Sequence, residues 1–158
     1  MIVTITMNPA LDKSTTVNKL APEKKMSCGE MITEAGGGGI NVSKAIKKLG
    51  GESLAIFPSG GMNGKKIEEY LSAQGISFRT IPIKEETREN IVISETDTNA
   101  QFRFVMPGAD ISPESAKACL DMLEELKPTY IVASGSLPPG LTGQFFSDLA
   151  RLSKKLKA

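Results

Sequence analysis

Four consecutive glycines, Gly36 to Gly39, run directly into Ile40 and Asn41. Glycine reaches backbone conformations closed to other residues and lets a second group approach without meeting a Cβ. Such a run costs conformational entropy, which either a tight strand-to-helix junction or a ligand lying on the backbone would offset. A helix starting there offers unpaired N–H groups and the positive end of its dipole to polar or anionic groups. Asn41 stands where its amide caps that helix or reaches a ligand. Asp12 follows the first apolar run, where a carboxylate either accepts bonds from paired hydroxyls, as on a sugar, or closes an Asx turn after Pro9. Arg88 and Arg103 carry the planar, permanently charged guanidinium that suits phosphate oxygens; the alternative is a solvated charge on a hairpin. Ser134 and Ser136, after the last apolar run, either bond a ligand or satisfy their own loop.

The standard nucleotide signatures are absent. G-x-G-x-x-G fails because Asn41 stands where the third glycine belongs, and a Walker loop around Gly64-Lys65 lacks its first glycine (Ser59) and its Ser/Thr (Lys66). There is no histidine, which removes Ser-His-Asp triads, His-ligated zinc and imidazole bases together. The two cysteines, Cys28 and Cys119, fit neither a metal spacing nor a disulfide framework and read as reduced thiols of a cytoplasmic protein. A net charge of +1 argues against a nucleic-acid or membrane partner recruited by bulk charge. No stretch has the length and apolarity of a membrane span.

The elements that must position these groups read as an α/β pattern. Ile2–Met7 is a short β-branched strand, with Asp12 in the loop after it. Lys13–Val17 and Met26–Thr33 read as further strands. After the glycines, Val42, Ala45, Ile46 and Leu49 recur at i, i+3, i+4 and i+7 and predict one buried helix face. Ser53–Phe57 reads as a strand buried on both faces of a parallel sheet, with the Gly60-Gly61 turn as a third strand exit. Ile67, Tyr70 and Leu71 mark a second helix, and Ile76–Ile83 a strand. Asn90–Ser94 and Gln101–Val105 flank Asp97-Thr98-Asn99 as an antiparallel hairpin, with Phe102, Phe104 and Met106 predicted on its buried face. Ser112-Pro113-Glu114 opens a third helix with an N-cap, a proline at N1 and an acid at the positive end. Tyr130–Ala133 is a last apolar strand, and Thr142 is expected to cap a final helix facing inward through Phe145, Leu149, Leu152 and Leu156. The strands outside the alternation imply a small second sheet projecting from a parallel one.

Taken in order, Asn8-Pro9-Ala10-Leu11-Asp12, Gly36–Val42, Thr87-Arg88-Glu89-Asn90, Arg103–Ala109 and Ser134–Gly140 resemble the PfkB family of ribokinase-like carbohydrate kinases over essentially the whole chain. The resemblance implies a ribokinase-like parallel-sheet sandwich, present in part, with a small β-sheet lid. Residues 1–158 would form the N-terminal portion of one kinase domain, with lid strands at approximately 13–34 and 88–106. Within the family the chain looks most like the branch that uses ATP, with Mg2+, to phosphorylate fructose 6-phosphate. Gly38 stands where the 1-phosphofructokinases carry lysine. Tagatose-6-phosphate kinase and 1-phosphofructokinase are the neighbouring activities, and a non-catalytic sugar-phosphate-binding or dimerisation module is the alternative of another class.

By the same resemblance, Asp12 and Asn41 hold sugar hydroxyls, and Gly37, Gly38 and Gly39 let the sugar lie on backbone. Arg88 holds the 6-phosphate, and Lys25, Arg103 and Ser136 are further substrate contacts. The lid pairs two subunits. The family's catalytic Gly-Ala-Gly-Asp does not occur in this sequence, so no catalytic residue, metal ligand or nucleotide site is expected here. The sequence reads as the substrate-and-lid half of such an enzyme.

Overall fold

The computed structural model describes residues 1–158. Four parallel strands form the main sheet in the order β5-β4-β1-β8, with β1 at Ile2–Ile5, β4 at Ser53–Ser59, β5 at Ser77–Pro82 and β8 at Tyr130–Ala133. Side chains alternate across it. Val3, Ile5, Ile56 and Ile81 face Cys119 and Leu123 of α3 (Pro113–Leu126) and Phe145, Leu149 and Leu152 of α4 (Gln144–Leu156). On the opposite face, Ala55 and Phe57 meet Ile40 of α1 (Gly38–Lys48) and Ile67 and Leu71 of α2 (Gly61–Ala73). The expected α/β layering with a second sheet is therefore what the chain forms.

The second sheet has the order β3-β2-β6-β7, from β2 (Ala10–Val17), β3 (Ile32–Gly36), β6 (Glu89–Glu95) and β7 (Gln101–Val105). Its centre is a parallel pair, β2 with β6, and each has an antiparallel neighbour. Leu11 of β2 and Ala35 of β3 are buried in the α1–α2 core, so the root of this sheet is fixed to the main body.

Several local expectations give way. Asp12 lies within β2, paired with Glu34 and Asn90, and not in a loop. Met26–Met31 is not a strand: this segment meets β2 through Gly29, whose N–H donates to Thr16 O and whose carbonyl accepts from Thr15 Oγ1, and a ladder begins only at Ile32. The α1 stripe packs inward only in part: Val42 and Ile46 are half-buried, and Ala45 is exposed. Leu49 is 87% exposed, and the residues buried on α1 are Gly39, Ile40 and Ser43. The helix approaches β1 so closely that a Cβ on Gly39 would collide with Ile5 O, so small residues make that contact. On β7, Phe102 and Phe104 are 39% and 47% exposed; it is an edge strand with no buried face. Finally, α4 has Gly143 at its N-cap, and Thr142 precedes it, accepting from Gln144 N at its Oγ1 (3.3 Å) and from Phe145 N at its carbonyl (3.0 Å).

Candidate functional site

Polar groups gather where the parallel strands end, the usual ligand side of an open α/β sheet. Three strand exits meet there. After β1, Thr6, Asn8 and then Asp12 follow in quick succession. After β8 comes Ser134-Gly135-Ser136, and after β4 the Gly60-Gly61 turn. Gly39 N–H donates to Ser134 O at 3.2 Å, and Asn8 Nδ2 donates to Ser136 Oγ at 3.0 Å, joining the first two exits. Thr87, 2% exposed, is clasped to Gly60 in both directions: its N–H donates to Gly60 O, and its Oγ1 accepts from Gly60 N, each at 3.0 Å. Gly60 thus serves as the anchor for the residue after Thr87, Arg88.

Arg88 sits just before β6 with its guanidinium donating to Asn8 O at 3.2 Å and Met106 O at 3.1 Å. A third, longer contact of 3.5 Å reaches Asn90 Oδ1, and Asn90 Nδ2 in turn donates to Asp12 Oδ1 at 2.8 Å. Arg88 Nε is buried without a partner. Burial pulls the guanidinium below its usual pKa, and the nearby Asp12 carboxylate opposes that shift. The head group is held by neutral carbonyls, which immobilise it without neutralising it. A fixed cation therefore stands beside an oriented carboxylate with Asn90 between them.

The glycine run is not an anion cradle. Gly39 N–H goes to Ser134 O, Ile40 N–H to Thr6 Oγ1 at 2.8 Å and Asn41 N–H to Gly37 O at 2.8 Å, so the first turn of α1 is largely satisfied from within. The junction reading of this run accounts for its geometry. A Cβ at Gly38 would lie 2.6 Å from the Ser134 carbonyl carbon, and one at Gly36 would collide with the Asp12 carboxylate. Gly37 has φ 124° and lies where a Cβ would come 2.5 Å from Thr6 Cγ2. Asn41 is exposed on the first turn, and its side chain makes no hydrogen bond within the chain.

Of the residues singled out by sequence, Asp12 and Arg88 come together through Asn90, while Ser136 joins them through Asn8. Gly37, Gly38 and Gly39 line the junction beside Asp12 and Ser134. Arg103 lies further along the second sheet, bonded to Gln101 Oε1 at 3.1 Å, and shares with Asp12, Glu34 and Asn90 a groove of about 390 Å³. Lys25 lies on the exposed segment between β2 and β3 and forms neither hydrogen bond nor ion pair with any of them. Thr6, Asn8 and Asn90 are the members that sequence reasoning missed. Asn90 had a signal: two residues beyond Arg88 in a strand, it shares the face of Arg88.

For a nucleotide or Mg2+ the residues present do not fit. No group of three or more His, Cys, Asp or Glu side chains is placed to hold a metal ion, and the α1 amides that would cradle phosphates are already engaged. No helix is long and apolar enough to cross a membrane.

Known proteins sharpen this picture. The chain is 42% identical over 156 residues to an ATP-dependent 6-phosphofructokinase isozyme 2 of Mycobacterium tuberculosis, covering 98% of this chain and 46% of that protein. It is 31% identical over 156 residues to a tagatose-6-phosphate kinase of Staphylococcus epidermidis, covering 98% of this chain and 50% of that one. The crystal structure of phosphofructokinase-2 from Escherichia coli in complex with fructose-6-phosphate superposes with a TM-score of 0.92 at 36% identity, covering 98% of this chain and 52% of that chain. The chain thus spans about half the length of the curated relatives it matches. With the pfkB family carbohydrate kinase profile matching residues 2–158, this chain belongs to that family of sugar kinases.

Proposed function

We propose that this chain supplies the substrate-and-lid half of a cytoplasmic kinase that uses ATP and Mg2+ to convert fructose 6-phosphate to fructose 1,6-bisphosphate in glycolysis. The observation that carries the reading is the row Arg88–Asn90–Asp12, an immobilised cation held next to an oriented carboxylate acceptor. A sugar phosphate needs that pairing: a fixed positive charge for the phosphate and acceptors for the hydroxyls. Arg88 takes the phosphate, and Asp12 and Asn41 take hydroxyls. Gly37, Gly38 and Gly39 let the sugar close on backbone, while Ser136, Arg103 and Lys25 complete the contacts. The second sheet acts as a lid that excludes water from phosphoryl transfer. Its exposed Phe102 and Phe104, which share one face of β7, are the apolar surface on which the lid of a second copy packs, giving a homodimer.

The likeness to a tagatose-6-phosphate kinase favours one second reading, in which the sugar is tagatose 6-phosphate. Calorimetric titration with fructose 6-phosphate, tagatose 6-phosphate and fructose 1-phosphate separates the substrates: the first two carry the phosphate on the same carbon and differ in the configuration of one hydroxyl, whereas fructose 1-phosphate presents its phosphate from the other end of the sugar. Binding of fructose 6-phosphate that Arg88→Ala abolishes supports the proposal; equal binding by the parent and Arg88→Ala overturns it. These residues alone carry no base for the attacking hydroxyl, so turnover with ATP by the 158-residue chain would also overturn the division of labour.

A further inference from the structure

Helix α1 starts at Gly38, and its N-cap, Gly37, makes no side-chain cap bond. A serine, threonine, aspartate or asparagine at an N-cap ordinarily accepts from the N–H of the second or third helical residue. At position 37 such a side chain is barred twice over, by φ 124° and by Thr6 Cγ2 lying 2.5 Å from where a Cβ would stand. The bond is nevertheless made. Ile40, the third helical residue, donates its N–H to Thr6 Oγ1 at 2.8 Å, in a pair that is 0% and 1% exposed. Thr6 comes from the exit of β1, more than thirty residues away in sequence.

Thr6 is also held in place. Its N–H donates to Ile56 O of β4 at 3.0 Å, which extends the parallel ladder one residue beyond β1. Two residues later, Asn8 accepts from Arg88 through its carbonyl and donates to Ser136 through its side chain. The three-residue stretch Thr6–Asn8 that leaves β1 therefore grips the cation at one end and, through a hydroxyl, the first turn bearing Asn41 at the other.

From this we infer that Thr6 is a positioning residue: its hydroxyl is the N-cap of α1 supplied from another strand, and it sets Asn41 in register with Arg88 across the sugar-phosphate site. Gly37 is left bare so that the chain can turn, and the capping group is moved to β1. The inference deepens the sugar-phosphate reading and rests on it for the ligand, while the cap itself stands on geometry alone.

The comparison is between the parent chain, Thr6→Val, which keeps the shape without the oxygen, and Thr6→Ser, which restores the oxygen. Two readouts are taken on each: hydrogen exchange of the Ile40 amide, and affinity for fructose 6-phosphate by calorimetry. The expected result is at least tenfold faster exchange at Ile40 and at least fivefold weaker binding in Thr6→Val, both restored in Thr6→Ser. Unchanged Ile40 exchange in a folded Thr6→Val overturns the cap. Faster exchange with undiminished binding overturns the positioning role. If Thr6→Val does not fold, weaker binding in a folded Thr6→Ser whose Ile40 exchange matches the parent overturns the proposal, and parental values in both readouts support it. Should the parent bind no fructose 6-phosphate, the sugar-phosphate reading fails and the register claim with it, and Ile40 exchange still decides the cap.

Discussion

Asn90 donates its side-chain amide to Asp12 Oδ1 at 2.8 Å across the parallel β2–β6 pair, in the row that also contains Glu34 and Val105. Glu34 and Asp12 are cross-strand partners of like charge, an arrangement that destabilises a sheet unless something offsets it. The Asn90 donor and the nearby Arg88 cation provide that offset. Replacing Asn90 with alanine removes the donor and leaves the carboxylates facing each other. The chain should lose about 1 kcal/mol of stability, in the range of a single hydrogen bond, read from the urea midpoint. A midpoint that does not move would mean that solvent serves Asp12 equally well.

Gly38 offers a test with opposed terms. Alanine in a helix is favoured over glycine by up to about 1 kcal/mol, whereas forcing a methyl into packed structure costs about 1–3 kcal/mol. The obstructing atoms are the Ser134 carbonyl carbon and Gly135 N, at 2.6 and 2.7 Å, and backbone cannot swing aside as a flexible side chain can. The packing cost should win, so Gly38→Ala lowers the denaturation midpoint. Gly143→Ala, with nothing within 4 Å of its Cβ, should stay within about 0.5 kcal/mol of the parent. A stabilised Gly38→Ala would show that the Ser134 loop yields.

The same contact explains what could and could not be read from the sequence. The apolar runs at β1 and β4 and the inward faces of α3 and α4 were legible, because there burial follows residue type, whereas β8 forms as a strand with Tyr130 exposed and its other residues half-buried. On α1 it does not: Gly39 and Ser43 make the close approach to β1, while Val42 and Ile46 are only half-buried and Ala45 and Leu49 are exposed. Apolar periodicity measures hydrophobicity, and a contact that requires the absence of side chains is invisible to it. Asp12 was recognisable as a candidate but not as a strand residue, since its pairing to Asn90 is made by a strand nearly eighty residues away. Arg88 was legible through its chemistry, while the carbonyls and the Thr87–Gly60 clasp that hold it arise only from the fold.

The thiols should separate cleanly. Cys119 is fully buried on the inward face of α3, and burial pushes its thiol pKa up to about 12, so little thiolate forms at neutral pH. Cys28 is exposed. A thiol reagent at pH 8 should titrate one equivalent rapidly and the second only once denaturant is added. Two fast equivalents in the folded chain would show that α3 opens readily.

Glu95 should make the second sheet acid-sensitive. It lies at the end of β6, and its carboxylate accepts from Leu20 N at 2.7 Å and Thr98 Oγ1 at 2.5 Å, tying the β6–β7 turn to the segment that carries Lys25. The bonds from Thr98 and Leu20 hold its pKa below the usual carboxylate value. A depressed native pKa stabilises the fold above the unfolded-state pKa, about 4.3 for glutamate, and that contribution disappears as pH falls through the lower native value. The Leu20 amide should therefore exchange slowly at pH 6 relative to its intrinsic rate and lose that protection as the pH falls below about 4. Glu95→Gln keeps an acceptor oxygen but cannot titrate, so its protection should be weaker at pH 6 and nearly independent of pH. If parent and variant lose protection in parallel, another carboxylate governs the transition, and the tie between Leu20 and the hairpin does not depend on the charge of Glu95.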